Sequence, residues 1–129
     1  MYPLSQLVFV YGTLRRGGSN HFRMAGADFV NSGTVMGHLY AIDWYPGLVL
    51  DPAGDEIQGE IFSVGPGLLA DLDRFEGLSA GEIEGSEYRR VLTDVMQQNS
   101  LPTTAFVWEW LGMTDPSQRL PDGDWLKNA

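Results

Sequence analysis

The chain has 129 residues, 43% of them hydrophobic and 12% aromatic, and it contains no cysteine. This suits one globular domain over residues 1–129 with a sizeable core, and it excludes disulfides and thiolate metal sites. Eight Lys and Arg against 17 Asp and Glu give a net charge of −9, a field that repels nucleic acid and leaves a small molecule as the expected partner.

The opening MYPLSQLVFVYG lacks the basic region and cleavage site of a signal peptide, and no apolar run reaches bilayer length. A cytoplasmic protein without membrane contact is therefore expected. LVFVYG at 7–12 reads as a central strand that runs into TLRRGGSNH, a loop rich in glycine, hydroxyl and basic residues. Ordering such a loop costs entropy, which marks it as a candidate binding element. Arg15 and Arg16 suit steering of anions or pairing with surface acids. Asn20 and His21 suit loop bracing and capping, with a helical turn near 20–24. A P-loop is excluded, because RRGGSN lacks the Lys-Ser/Thr pair that phosphates and Mg²⁺ require.

Residues 28–42 alternate loosely and contain two glycines, which predicts a bent or bulged strand. GLVLD at 47–51 and IQGEIFSV at 57–64 read as a strand pair joined by the turn residues Pro52, Ala53, Gly54 and Asp55. Trp44, Tyr45 and Pro46 precede the first of these, as core residues or as a pocket wall.

PGLLADLDRFEG then changes the period from two to that of a helix, with Pro66 at its start and Gly77 at its stop. Leu68, Leu69, Leu72 and Phe75 fall on one face. Glu76 lies within the same arc, four residues beyond Leu72, while Arg74 points away and Asp71 and Asp73 flank the stripe. Glu76 is thus the acid aimed at the interior. Burial and the negative helix end both disfavour its ionised form, raising its pKa toward what a proton shuttle needs near neutral pH. Pairing with Arg89 or Arg90 is the plainer alternative.

YRRVLTDVMQQ (88–98) and TTAFVWEWLG (103–112) return to strand character around a turn at Asn99-Ser100, and LPDGDWLKNA reads as a tail docked through Trp125. The sum is an α+β fold: a small mixed, partly closed β-barrel with one main helix and short helical turns.

VYGTLR, GGSNH, YPGLV, LDRFEG and EYRR, in this order, resemble the gamma-glutamylcyclotransferase-like family, which includes the AIG2-like and butirosin-type cyclotransferases. The resemblance covers nearly the whole chain. It implies a cavity between the glycine-containing loop and the helix, with substrate carboxylate held by backbone N–H groups of Tyr11, Gly12, Thr13 and Leu14. It further implies that Glu76 is the general acid/base and Tyr88 a substrate-binding residue, with Thr13 where many relatives have Ser. The implied reaction is attack of a substrate α-amine on its own γ-amide, releasing 5-oxoproline and an amino acid or amine, with no metal or other cofactor. The alternative is a protein that holds a small carboxylate in the same cavity without turning it over.

Overall fold

In β1 (Gln6–Val10), Val8, Phe9 and Val10 are all buried, which requires covering on both faces of the strand. Two apolar layers supply it. Phe9 packs with Val35, Ile57, Ile61, Val95 and Val107 in one cluster, whereas Val8 and Val10 pack with Phe62, Leu72 and Trp108 in another. The alternation Ile61/Phe62 and Val107/Trp108 between clusters is the period of two expected of strands, one face lining a barrel and the other lying under a helix.

The computed structural model describes residues 5–128. The remaining strands are β2 (Asp28–Ala41), β3 (Pro46–Leu50), β4 (Asp55–Val64), β5 (Tyr88–Gln97) and β6 (Thr103–Trp110). The helices are α1 (Pro66–Phe75) and α2 (Trp125–Asn128), with 3-10 turns at His21–Met24 and Pro116–Gln118. The sheet runs β3-β2-β4-β1-β6-β5, and pairing of Gly33 with Gln97 and Thr34 with Met96 joins β2 to β5. Five strands therefore form a closed mixed barrel, with β1–β6 the parallel pair and β3 added outside the ring. Closure is fuller than the partial barrel that the sequence suggests, because β2 is 14 residues long and reaches three partners.

The expected bulge in β2 falls between Phe29 and Asn31. The expected pairing of residues 47–51 with 57–64 does not form. β2 lies between them, and Gly37 faces both Leu50 of β3 and Asp55 of β4. The 52–55 turn straddles β2 at that point: Asp51 N–H donates to the Met36 carbonyl at 3.1 Å. A Cβ on Gly54 would stand 2.4 Å from the Gly37 carbonyl oxygen, so the crossing needs glycine. Trp125 is buried against the barrel cluster, and Arg15 Nη1 donates to Asp124 Oδ1 at 2.9 Å, so the tail docks on the barrel and on the opening loop. Residues 1–4 and 129, at the ends of the two terminal segments read above, lie outside the described residues. Among the described residues no helix is long and apolar enough to cross a membrane.

Candidate active site

Glu76 is fixed by how α1 ends. Gly77 adopts φ 87°, its N–H donates to the Arg74 carbonyl at 3.0 Å, and Leu78 N–H donates to the Asp73 carbonyl at 2.8 Å. These are the two bonds of a Schellman stop, with Leu78 buried beside Leu72 as its apolar clasp. The dipeptide Glu76-Gly77 thus holds the glutamate at the helix C-terminus, where the apolar stripe directs it at a cavity of about 200 Å³.

The opposite wall is the opening loop. Gly12, Thr13 and Leu14 are buried and line this cavity, yet their backbone N–H groups donate to no acceptor among the described residues. Buried donors rarely go unpartnered, so three in succession at a cavity wall suit an anionic or carbonyl oxygen. The loop is held by its own polar groups. Arg15 N–H donates to the Gly12 carbonyl at 3.1 Å, Asn20 N–H to the Thr13 carbonyl at 2.9 Å, and Asn20 Nδ2 to Thr13 Oγ1 at 3.2 Å. Gly12 is required by crowding: a Cβ there would stand 2.7 Å from Pro46 Cγ.

Two tyrosines complete the frame. Tyr11 Oη donates to the Trp108 carbonyl at 2.7 Å and accepts from Leu48 N–H at 3.3 Å. Tyr88 Oη donates to the Pro46 carbonyl at 2.7 Å, bracing the residue that packs on Gly12. Both hydroxyls are thus engaged within the protein, and both residues present their rings to the cavity. Burial, followed by nearby negative charge for Tyr11 and by Tyr11 for Tyr88, pushes both phenols well above their ordinary value, so they stay protonated.

Tyr11, Gly12, Thr13, Leu14, Glu76 and Tyr88, the site residues named from the sequence, therefore meet at one cavity, with Trp44, Tyr45 and Pro46 also in its wall. The Glu76 carboxyl has no hydrogen bond or ion pair among the described residues, while the residue's backbone N–H donates to the Leu72 carbonyl at 3.0 Å. Arg89 bonds Glu109 at 2.9 and 2.8 Å, and Arg90 bonds Asp73 at 2.9 and 3.2 Å. Burial, then the charges of Glu87 and Asp73, push the Glu76 carboxyl up to about 8.

One expectation about the helix needs correction. Asp73 is also buried, so Glu76 is not the one inward acid of the helix; Asp73 accepts from Arg90 and from Trp108 Nε1 at 2.9 Å. The wheel misplaces it because the partners that draw it inward come from β5 and β6. Of the two readings offered for Arg15 and Arg16, pairing with acids is the one seen: Arg15 bonds Asp124, and Arg16 donates through its backbone N–H and Nε to buried Glu60 at 2.8 and 3.1 Å. Sequence reasoning missed Glu87, which lines the cavity and accepts from Tyr45 Oη at 3.0 Å. Its position beside Tyr88 was the available signal. Among the described residues no group of three or more His, Asp and Glu is arranged to hold a metal ion.

A closed mixed barrel with a raised glutamate facing a loop of free amides defines a class of small-molecule site. The sequence profile described as gamma-glutamyl cyclotransferase, AIG2-like, matches residues 8–127, and the chain belongs to that family. A Vibrio cholerae protein provisionally named a gamma-glutamylcyclotransferase is 32% identical over 132 residues, 98% of this chain and 100% of that one. An Arabidopsis thaliana protein with the same provisional name is 40% identical over 88 residues, 58% of this chain, and the match spans only 46% of that relative. The crystal structure of a mouse AIG2-like protein superposes with a TM-score of 0.70 at 27% identity, over 88% of this chain and 82% of that one. The Escherichia coli protein ytfP superposes at 0.66 and 27% identity, over 95% and 98%.

Proposed function

We propose that this protein is a gamma-glutamyl cyclotransferase in which Glu76 moves both protons. The observation that carries this reading is an unpaired carboxyl raised to about 8, sharing one cavity with three unpartnered backbone amides. The substrate α-carboxylate or γ-carbonyl oxygen would accept from the amides of Gly12, Thr13 and Leu14. Ionised Glu76 would take a proton from the α-ammonium. The freed amine attacks the γ-carbonyl carbon and forms the ring C–N bond. The tetrahedral centre then collapses with loss of the γ-amide C–N bond, Glu76–COOH returning its proton to the leaving nitrogen, and the second proton, left on the ring nitrogen by the attack, passes through the regenerated carboxylate to the released amine, which departs as an ammonium. The products are 5-oxoproline and a free amine or amino acid, and Glu76 ends as it began.

Holding the substrate in its near-attack conformer supplies much of the acceleration, because ring closure is intramolecular. The amides cost no reorganisation as charge develops on oxygen. With a pKa of about 8, roughly one free enzyme in ten carries ionised Glu76 at pH 7. The substrate ammonium, as an opposite charge beside the carboxylate, pulls the value down on binding and enlarges that fraction. A receptor for small carboxylates would gain nothing from a half-buried carboxyl facing its ligand, and this favours turnover over simple binding. Incubation with a panel of gamma-glutamyl amino acids and amines, assayed for 5-oxoproline, is the test. Release by the wild type and its loss in Glu76→Gln support the reading. Tight binding of the panel without any release would leave only the carboxylate receptor.

A further inference from the structure

The opening loop is two-sided. Its unpartnered amides lie at the cavity wall, whereas the carbonyls of Gly12, Thr13 and Leu14 all accept hydrogen bonds from residues just ahead in the chain. Gly12 accepts from Arg15 N–H at 3.1 Å, Thr13 from Asn20 N–H at 2.9 Å, and Leu14 from His21 Nδ1 at 2.9 Å. A carbonyl cannot donate, so Nδ1 of His21 carries the hydrogen. In a planar trans peptide the carbonyl of one residue and the N–H of the next point in opposite directions. Holding the Thr13 carbonyl therefore aims the Leu14 N–H, and holding the Gly12 carbonyl aims the Thr13 N–H. The donor on Gly12 is Arg15 N–H, whose own peptide plane His21 pins through the Leu14 carbonyl. The bracing segment is itself held. Arg23 Nε donates to Asn20 Oδ1 at 3.2 Å, and the half-buried His21 ring rests against buried Phe62 with centroids 6.0 Å apart. Gly18 lets this segment approach, since a Cβ there would stand 2.3 Å from the Thr13 carbonyl oxygen.

Resting on the reading that these amides take an oxygen of the substrate, we propose that His21 is a positioning residue: through Leu14 and Arg15 it aims the Thr13 amide at the cavity, as Asn20 N–H aims the Leu14 amide. A peptide free on its far side would rotate its N–H toward water or a nearer acceptor. Bonds on the carbonyl side remove that freedom before any ligand arrives. They also polarise each peptide and make its N–H a stronger donor. Preorganised donors gain most from a full negative charge, so the brace favours a carboxylate over a neutral carbonyl oxygen at the same spot. About tenfold in Kd is the expected preference, the difference between a charge-assisted hydrogen bond and a neutral one. His21 touches no substrate atom in this account and acts only through the loop.

The test compares binding of 5-oxoproline and its carboxamide, which share one ring and differ in carboxylate against neutral amide. Neither carries the open-chain γ-amide that the reaction cleaves, so no turnover is needed. The proteins are wild type, His21→Asn and His21→Leu, studied above the ordinary titration range of histidine so that all three carry the same charge. Asn sets its Nδ2 donor where the imidazole has Nδ1, and Leu sets a methyl group there. Titrations followed by ¹H–¹⁵N NMR give both dissociation constants and the shift of the Thr13 amide. Wild type and His21→Asn are expected to prefer the carboxylate about tenfold, with the Thr13 N–H moving downfield, and His21→Leu about threefold or less. Taking the ratio within one variant cancels any general loosening, which weakens both ligands alike. The imidazole ¹⁵N signals of wild type are expected to place the hydrogen on Nδ1. A hydrogen on Nε2 overturns the proposal without any variant, as does a wild type indifferent to the carboxylate or a preference unchanged in His21→Leu. A preference that depends on His21, in a protein that releases no 5-oxoproline from gamma-glutamyl compounds, sinks the cyclotransferase reading and keeps the positioning role.

Discussion

Replacing Glu76 with Gln separates the cost of the proposed proton carrier from its use. Burial and the neighbouring charges of Glu87 and Asp73 raise the carboxyl from its ordinary 4.5 to about 8. The native protein then holds this proton more tightly than the unfolded chain does. Stability is accordingly greatest below about 4.5, declines as pH rises through the interval up to about 8, and is level beyond it. A displacement of that size corresponds to about 5 kcal/mol as a ceiling. The cavity opens to water at Trp44 and Glu87, and solvent screening brings the expected cost at pH 8.5 to about 2–3 kcal/mol. Gln keeps the shape of the protonated acid and cannot ionise. The two proteins should therefore melt together near pH 5, and Glu76→Gln should melt higher near pH 8.5, by about 6–10 °C for a chain of this size. Thermal melts from pH 5 to 9 measure the difference, which cancels every other titrating group common to both. Run beside the 5-oxoproline assay, the variant should be inactive though more stable, the conflict expected where a group is kept for chemistry. A Gln variant markedly less stable than wild type across the whole range would refute the reasoning, since Glu76 would then be a structural partner.

Glu76→Asp should lose about a hundredfold in kcat/KM with its melting temperature nearly unchanged, because the shorter arm withdraws the carboxyl from the reacting atoms; steady-state kinetics check this. In the wild type, kcat/KM should rise with pH until the free-enzyme ionisation near 8 is passed, and a rate independent of pH from 6 to 9 would contradict Glu76 as the base. Gly77→Ala should cost about 1–2 kcal/mol in denaturant unfolding, because φ 87° strains any residue with a Cβ, and kcat should fall as the Schellman stop shifts Glu76. Asp73→Asn should cost about 3 kcal/mol by removing the buried counter-charge of half-buried Arg90, which places it among the largest expected single losses outside the apolar core.

The sequence by itself determined the elements and the direction of Glu76. Strand against helix was legible because the apolar period switches from two to about 3.6 at Pro66. The helix stop was legible because glycine alone takes the left-handed backbone without strain. The glutamate follows from those two local facts, since a residue four beyond Leu72 and just before the stop has only one direction to face. Strand partners were another matter. Residues 47–51 and 57–64 look like a hairpin in one dimension, but the 14-residue β2 offers each of them more ladder bonds, and two glycines let the turn pass over it. Asp73 was misjudged, and the partners of Arg15 and Arg16 went unnamed, for the same reason: their counter-charges come from β5, α2's flank and β4, far along the chain. The cavity also belongs to tertiary structure. Gly12 and Glu76 approach it from elements 64 positions apart, and Glu87 is tied to its wall by Tyr45, which comes from the connection between β2 and β3. Local periodicity and backbone preference act between neighbours and can be read in order, whereas burial, ion pairing and cavity walls depend on which distant segments the closed barrel brings together.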